Sequence, residues 1–374
     1  MFYVSYDGID EPLGRSQVLA YLRRLAPRYD ITLISFEKSV EVSGRLREEL
    51  DAYGIEWAPL RYHRRPPVLS TLLDVLAGRR RLIEAARRGA PSVVHVRSDV
   101  PALMALLARK ATGGKLLFDI RGFWADERVD GGLWRAGGFL YRIAKWCERA
   151  FFAEADAIVT LTEASVPQVR VWAGERPVPV EVIPTCVDLQ RFSSRPERPE
   201  GPHVVWSGSI GTWYRFDLVA RVAAALSLPL TVITRERELA QTTLDDYPAA
   251  VLTVGPEEVP GQLYSGDIGL CLIKSSFSKR ASAPTRFAEY LATGMPVLVT
   301  RGVGDLESIV TEHGIGVVLA GEDDESIAAA AKRLRELAGE REVQARCRSV
   351  AYRLFDVEAG TERYAALYRR LSGE

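Results

Sequence analysis

Cysteine, histidine and methionine are scarce in this sequence. Of 374 residues, four are cysteine, four are histidine and three are methionine. The cysteines occur singly, without C-x-x-C spacing, and the histidines are equally dispersed along the chain. This scatter predicts neither a disulfide framework nor a bound metal ion.

Long apolar runs are also missing. No stretch approaches the roughly 18 apolar residues that a membrane-spanning helix needs. The chain opens on strand-like residues from Phe2, with no basic leader followed by an apolar stretch and a small-residue cleavage site. We therefore expect a protein that does not cross a membrane and that stays in the cytoplasm.

Several familiar nucleotide and hydrolase motifs do not occur. The glycine clusters at 208–211, 302–304 and 314–316 do not form a G-x-G-x-x-G that follows a strand and opens a helix. Neither a G-x-x-x-x-G-K-[ST] loop nor a G-x-S-x-G elbow is found. The sequence therefore disfavours dinucleotide oxidoreductases, P-loop ATPases and serine esterases.

Charge is balanced overall but not locally. The 49 basic and 49 acidic residues cancel, and no nucleic-acid partner is predicted. Residues 61–115 nevertheless carry twelve Lys or Arg against three acids, and residues 133–152 mix aromatic and basic side chains. Two interpretations stay open: solvated helix faces around a core, or contact with an anionic membrane surface or acceptor.

What is present is an alternation of short β-branched runs with longer helical patterns. Two such series predict an α/β fold of two doubly wound parallel units. The segment 186–202 is rich in Ser, Pro, Arg and Glu and predicts a linker. The predicted parts are a domain at 1–185, this linker, a domain at 203–355 and a last amphipathic helix at 356–374.

The segment 281–297 combines a small-residue loop, a helix opened by Pro284, a stop at Gly294 and a new strand. The start of a helix presents unpaired N–H groups and a positive dipole end, which suits a diphosphate. Glu289, one turn past Thr285, is placed to meet the hydroxyls of an adjoining ribose. A routine loop-to-helix junction with a surface glutamate is the alternative.

This segment resembles the donor-site helix of glycosyltransferase family 4, whose members often read S-x-P-T-K-x-x-E-Y-L-A-x-G-x-P-V. The chain matches it from Ser282 to Val297, with Arg286 in place of the lysine. Weaker similarities at 6–18, 119–127, 183–188 and 207–214 extend the resemblance over nearly the whole chain. It implies the GT-B architecture, with two Rossmann-like domains facing across a cleft and the last helix returning to the N-terminal domain.

The resemblance also implies a donor site in the second domain. Glu289 would bind the nucleotide ribose and the amides at the helix start would hold the diphosphate. The chain departs from the family at two places. Many members carry a first glutamate eight residues before the position of Glu289, and here that residue is Ala281. Many also carry an Arg and a Lys in the loop after the first strand of the second domain, where this chain has Ser209 and Tyr214. The phosphate cations must therefore come from elsewhere. The predicted donor-binding residues are Gly208, Ser209, Arg235, Lys274, Ser282, Thr285, Arg286 and Glu289.

In the first domain, family members bring the loop after the first strand close to the leaving phosphate. This implies roles for Gly14, Arg15 and Ser16, although a simple turn explains them equally well. A second segment follows another strand and is acidic, with one arginine. Its side chains are predicted either to orient an acceptor or to form a structural Asp–Arg network: Asp119, Arg121, Asp126 and Glu127.

The implied reaction is retaining transfer of a sugar without a metal ion or a separate cofactor. The donor would be a nucleotide sugar, with UDP- or GDP-sugars favoured, and the acceptor a glycan or a lipid-linked glycan of the cell envelope. Two alternatives stay open on the sequence: a nucleotide-sugar epimerase and a sugar-nucleotide-binding protein without turnover.

Overall fold

The computed structural model describes residues 1–39, 44–192, 202–245 and 247–373. It divides into two compact units. The first comprises Met1–Ile183 together with Val357–Glu374, and the second comprises Pro184–Asp356. Each unit is built on its own parallel sheet.

The first unit contains a seven-stranded parallel sheet in the order β3-β2-β1-β4-β5-β6-β7. The central strands are buried along their whole length, as continuous β-branched runs predict for a sheet covered on both faces. The strands are β1 (Phe2–Ser5), β2 (Thr32–Glu37), β3 (Glu56–Arg61), β4 (Val93–Arg97), β5 (Lys115–Asp119), β6 (Ala157–Thr160) and β7 (Val180–Val182).

In the described residues of the first unit, eight α-helices precede the second unit and one follows it. A π-helical segment, Arg15–Leu19, joins the first two into a continuous helix. The helices are α1 (Pro12–Gly14), α2 (Ala20–Leu25), α3 (Gly44–Ala52), α4 (Pro67–Arg88), α5 (Asp99–Thr112), α6 (Trp124–Asp130), α7 (Phe139–Glu154), α8 (Val166–Ala173) and α16 (Val357–Ser372).

These helices form two layers. The chain moves outward from β1 to β3 and then returns to β4 and on to β7, so right-handed crossovers place the two sets of connecting helices on opposite faces. In one layer α4 packs on α5, α5 on α7 and α7 on α8. In the other, α16 packs on α2 and β4.

The second unit repeats the arrangement with six parallel strands in the order β10-β9-β8-β11-β12-β13. Its strands are β8 (Val204–Ser207), β9 (Leu230–Ile233), β10 (Ala249–Leu252), β11 (Ile268–Cys271), β12 (Val297–Thr300) and β13 (Gly316–Leu319). Its helices are α9 (Asp217–Leu226), α10 (Arg237–Leu244), α11 (Val259–Leu263), α12 (Thr285–Thr293), α13 (Leu306–His313), α14 (Asp324–Ala338) and α15 (Val343–Phe355).

The start of the predicted linker belongs to the second unit. Val187, Leu189 and Phe192 are buried in its core beside α12 and α15, and the amide of Val187 donates to the carbonyl of Phe355 at 2.8 Å. Residues 193–201, the greater part of the segment predicted as a linker, lie outside the described residues. A linker can therefore begin no earlier than residue 193.

In the first unit the apolar runs of the sequence predict strands at 3–6, 31–35, 93–96, 116–119 and 157–161. They miss β3 and β7, which are the two edge strands of the first sheet. β3 contains Pro59, which is tolerated at an edge because one side of the strand needs no ladder hydrogen bond. β7 has only three residues and all are partly exposed. Edge strands lack the continuous apolar run by which the inner strands were found.

The C-terminal helix α16 lies on the first unit, and its apolar stripe is buried there. Tyr368 and Tyr364 reach the inner strands: the Tyr368 hydroxyl lies 2.6 Å from His95 Nδ1, and Tyr364 donates to Asp119 at 3.1 Å. At the rim, Arg24 on α2 pairs with Glu358 at 2.6 Å. Buried polar groups of β4 and β5 thus depend on α16 for their partners.

Burial and neighbouring charge act against each other in this network. Burial lowers the pKa of His95, although Asp119 acts in the opposite direction. Burial also opposes ionisation of Asp119, but Arg121 and His95 outweigh it and hold the pKa of this carboxyl below its usual value. A histidine whose pKa is lowered by folding costs stability when it must be protonated, so His95 should destabilise the first unit as the pH falls below about 6.5.

We expect Tyr364→Phe to lower the free energy of unfolding of the first unit by about 1–3 kcal/mol, because a buried carboxylate loses a hydrogen-bond donor. Thermal and urea unfolding of the full chain would measure the change. Tyr352→Phe is the matched control, since Tyr352 is 65% exposed whereas Tyr364 is 3% exposed. Equal stability of the two variants would contradict a supporting role for the Tyr364 hydroxyl.

Candidate active site

The second unit has a topological switch point between β8 and β11, where strands to one side precede strands to the other. Ligands of open α/β sheets bind beyond the carboxyl ends of the strands at such a point. The loops that leave these strands meet there: Lys274 donates its amide to the Trp213 carbonyl at 2.8 Å, and Gly304 donates to Lys279 at 2.8 Å. The residues predicted from the sequence to bind a donor lie at this edge.

Arg286 is the central side chain of this edge. It is buried, and its guanidinium carbon lies 4.4 Å from the ring centre of Trp206 and 4.2 Å from that of Tyr214. Gly208 leaves room for it: a Cβ at Gly208 would come within 2.1 Å of Arg286 Nη2. Among the described residues, Arg286 Nη1 has no hydrogen-bond partner. A buried guanidinium with an unused N–H is suited to an anionic ligand.

The start of α12 carries the same preference for anions. Its N-cap residue, Pro284, provides no side-chain cap, and the first turn contains no acidic residue. The amide of Phe287 donates to the Pro284 carbonyl at 3.1 Å. The two amides before it, of Thr285 and Arg286, are left for another acceptor. Ser282 and Thr285 flank this turn and are both partly exposed.

The position of α12 is held by its next residues. The amide of Ser207, at the end of β8, donates to the Tyr290 hydroxyl at 2.8 Å. Gly269 on β11 accommodates the ring, since a Cβ there would lie 2.5 Å from Tyr290 Cδ2. The helix start is thereby placed beside the end of β8, where Arg286 meets Gly208.

Glu289 lies one turn further along α12 and is partly exposed. In the described part of the chain its carboxylate forms neither a hydrogen bond nor an ion pair. Burial raises its pKa, and the charges of Arg191 and Arg286 act only partly in the other direction. This unpaired carboxylate, close to a helix start that favours anions, can accept hydrogen bonds from the hydroxyls of a ligand.

The remaining predicted donor residues are more exposed to solvent. Ser209, Arg235 and Lys274 all follow strands at the same edge, and all three are exposed. Ala281 is fully buried, so the position of the family's first glutamate is filled by an apolar side chain.

Beyond the predicted donor residues, two more side chains of this edge have defined contacts. Lys279 is buried, with its ammonium 3.9 Å from the ring centre of Trp213. Glu236 accepts the amide of Ile210 at 2.5 Å and so holds the loop after β8. Its place directly after β9, beside Arg235, was the signal in the sequence that could have found it.

In the first unit, Gly14 lies against the loop that follows β1. A Cβ at Gly14 would come within 2.0 Å of the Gly8 carbonyl, so only glycine fits this approach. Arg15 pairs with Asp10 at 2.8 Å, and the Ser16 hydroxyl donates to the Pro12 carbonyl at 2.8 Å. The sequence placed these residues in the loop after β1, but the structure places them in the first helix, where Gly14 packs against that loop.

The side chains of the acidic segment 119–127 lie in two different environments. Asp119 is buried beneath α16 and bonds His95, Tyr364 and, at 3.5 Å, Arg121. This is the structural Asp–Arg network that the sequence left open. Because the Asp119 carboxylate is enclosed and satisfied on all these sides, it supports the fold rather than meeting a ligand.

Asp126 is tied to α7 instead. It accepts from the Tyr141 hydroxyl at 2.8 Å and from Lys145 Nζ at 3.0 Å. Glu127 lies under Gly122, at whose position a Cβ would be 3.3 Å from Glu127 Oε1. These side chains hold the segment between β5 and α7.

A histidine–aspartate pair at the carboxyl edge was not predicted. His63, which follows β3, places Nδ1 2.6 Å from Asp74 Oδ1 of α4, and Tyr6, which follows β1, donates to the other carboxylate oxygen at 2.7 Å. Because these three residues are separated in the sequence, no local pattern predicted the cluster. It ties α4 to the loops at the carboxyl ends of β1 and β3.

No group of three or more His, Cys, Asp or Glu side chains that could hold a metal ion is found in the described ranges. None of the helices described combines the length and apolar composition needed to cross a bilayer.

Comparison with known proteins identifies the architecture. Residues 15–191 match the model of Glycosyltransferase Family 4, whereas no curated protein matches the sequence. A glycosyltransferase from Rickettsia africae has a similar structure, with a TM-score of 0.73 and 15% identity over 99% of this chain and 97% of that chain.

Two further solved structures share the fold. Sucrose-phosphate synthase from Thermosynechococcus elongatus has a TM-score of 0.69 and 16% identity, covering 99% of this chain and 98% of its own. Anabaena HepE, in complex with UDP and glucose, has a TM-score of 0.65 and 14% identity over 98% of each chain. The family match in the N-terminal half and the fold shared over the whole length identify this protein as a glycosyltransferase of the GT-B fold, similar to family 4.

Proposed function

We propose that this glycosyltransferase moves a sugar from a nucleoside diphosphate to an acceptor with retention of configuration and without a metal ion. The second unit would hold the donor and the first unit the acceptor. The observation that carries the proposal is Arg286, a buried cation whose Nη1 has no partner among the described residues. It stands at the switch point of the sheet, beside the uncapped start of α12.

Placement of the donor follows from these groups. The diphosphate would lie between the amides at the start of α12 and the Arg286 guanidinium, where both supply donors to phosphate oxygens. Glu289, one turn further along, would accept from the ribose hydroxyls. Lys279 and Lys274 follow β11 and would add positive charge near the phosphates.

The reaction would develop negative charge on the departing diphosphate and an oxocarbenium-like sugar. The bond between the anomeric carbon and the phosphate oxygen breaks, and a bond to the acceptor oxygen forms on the same face. The acceptor's proton passes to the departing phosphate oxygen, so no general base on the protein is required. Arg286 and the α12 amides would stabilise the leaving group in place of a metal ion.

The proposed donor is a UDP-sugar, with GDP-sugars as the second choice. Anabaena HepE, which shares the fold, has been crystallised with UDP-glucose. The proposed acceptor is a glycan or lipid-linked glycan, and the proposed setting is polysaccharide or glycolipid synthesis on the cytoplasmic side of the cell envelope. Gly14, Arg15 and Ser16, at the start of the first helix, would lie on the acceptor side.

Thermal unfolding with a panel of UDP-, GDP-, ADP- and dTDP-sugars tests the donor. A bound donor at 100 times its dissociation constant should stabilise the fold by about 2.7 kcal/mol. Transfer measured with excess EDTA should be undiminished, and proton NMR of the first product should show the anomeric configuration of the donor. Stabilisation by no nucleotide sugar, loss of transfer with EDTA, or an inverted product would each contradict the corresponding part of the proposal.

For Glu289, we expect Glu289→Gln to weaken donor binding by about 10- to 100-fold, because charge-assisted hydrogen bonds to the ribose are lost. The unliganded variant should be no less stable than the parent at neutral pH. Folding raises the pKa of this acid, so the native state holds its proton more tightly and loses stability as the pH rises past about 4.3. Removing the charge relieves that cost.

Calorimetric titration and thermal unfolding measure the two effects of this substitution, and Glu312→Gln on the exposed side of α13 is the control. Parental donor affinity in Glu289→Gln would exclude this residue from the ribose site.

For Arg286, we expect Arg286→Ala to lower kcat/KM by about 100-fold or more and Arg286→Lys to lower it less, since lysine keeps the charge but loses the fork of donors. Steady-state transfer assays measure both, with Arg333→Ala on the exposed face of α14 as the control. Unchanged rates in Arg286→Ala would show that the guanidinium does not meet the phosphates.

A further inference from the structure

Helix α4 exposes a row of large apolar side chains to solvent. Along its first three turns these residues are between 49% and 60% exposed, and we call them the α4 apolar row: Val68, Leu69, Leu72, Leu73 and Leu76. Their spacing places all five on one side of the helix. The opposite side is the one that packs on the unit, where Asp74, Val75 and Leu82 are fully buried.

The same side of α4 becomes basic further along. Arg79, Arg80 and Arg87 continue the exposed face after Leu76, and Arg64 and Arg65 precede the row. Glu84 is the acid that stands among them, and it pairs with Arg80 at 2.7 Å. An apolar surface bordered at both ends by arginines has the charge complementary to an anionic interface.

Helix α7 adds a second strip of the same kind. Phe139 is 78% exposed and Trp146 is 66% exposed, and Arg142 and Arg149 are exposed beside them. Since α5 packs between α4 and α7, the two strips belong to one helix layer and lie roughly 20 Å apart. Leu107 on α5 is itself 48% exposed and lies between them.

We propose that the α4 apolar row, together with the exposed strip of α7, docks on the surface of an anionic lipid bilayer. Leucines, Phe139 and Trp146 would enter the boundary between headgroups and acyl chains, and the arginines would contact lipid phosphates. A second copy of this chain fits the surface less well, because a two-fold contact would bring arginines against arginines.

Docking in this orientation would place the loop that follows β1 beside the membrane. The row starts just after the carboxyl end of β3, and the bond from Tyr6 to Asp74 fixes α4 next to the loop that follows β1. The inference about the acceptor rests on the function proposed above. It specifies that the acceptor is carried by a lipid and presented at the level of the headgroups. The docking itself does not depend on the chemistry of the second unit.

Flotation of the full chain with lipid vesicles tests the surface. We expect binding to phosphatidylcholine vesicles containing about 30% phosphatidylglycerol at about 0.1 M salt, and weak binding to pure phosphatidylcholine or at about 1 M salt. The double variant Leu69→Glu, Leu73→Glu should lower the bound fraction more than tenfold. Arg79→Glu should weaken binding and reduce its dependence on salt.

Leu239→Glu is the matched control, since Leu239 is an exposed leucine of α10 in the second unit. It should float like the parent. Donor-induced thermal stabilisation measured on every variant separates the two proposals: vesicle binding without donor binding refutes the proposed function and leaves the docking surface standing. Preserved donor binding also shows that a variant is folded.

Three results would overturn the docking proposal. One is no flotation of the parent at about 0.1 M salt. Another is parental flotation of the Leu69→Glu, Leu73→Glu variant. The third is a dimer without vesicles that this double variant converts to a monomer, which would assign the surface to a second copy.

Discussion

A guanidinium withdrawn from water is tolerated only where other groups replace its solvation. Arg286 is met by the faces of Trp206 and Tyr214, and no carboxylate in the described part of the chain pairs with it. The aromatic faces favour the cation without neutralising its charge. Three features of the second unit serve this stack: the glycine at 208, the buried Trp206 near the end of β8, and the β-bridge between Tyr214 and Ile273.

The same stack gives a physical account of how this chain departs from the family it resembles. Many relatives carry cations in the loop after the first strand of the second domain, where this chain has Ser209 and Tyr214. Tyr214 supports the guanidinium of Arg286, which reaches the same edge from α12. A cation is thus still present there, although it comes from a different element.

Some of the candidate residues could be predicted because their environment is local. The loop, the stop at Gly294 and the positions of Arg286 and Glu289 on α12 follow from a few consecutive residues. The first unit was harder to predict. Asp119 and Tyr364 are 245 positions apart, and no local pattern distinguishes a carboxylate that faces a ligand from one that a returning helix covers.

By itself the sequence determined the alternation of strands and helices, the two parallel sheets and the start and end of helix α12, because hydrophobic period and helix-end residues act over a few positions. Only the tertiary structure decided which faces are covered. Leucines at helical spacing on α4 are consistent with a core or with a surface. Their exposure depends on α5 and β2 packing against the other side of the helix, and such long-range packing is not encoded in the periodicity of α4 itself.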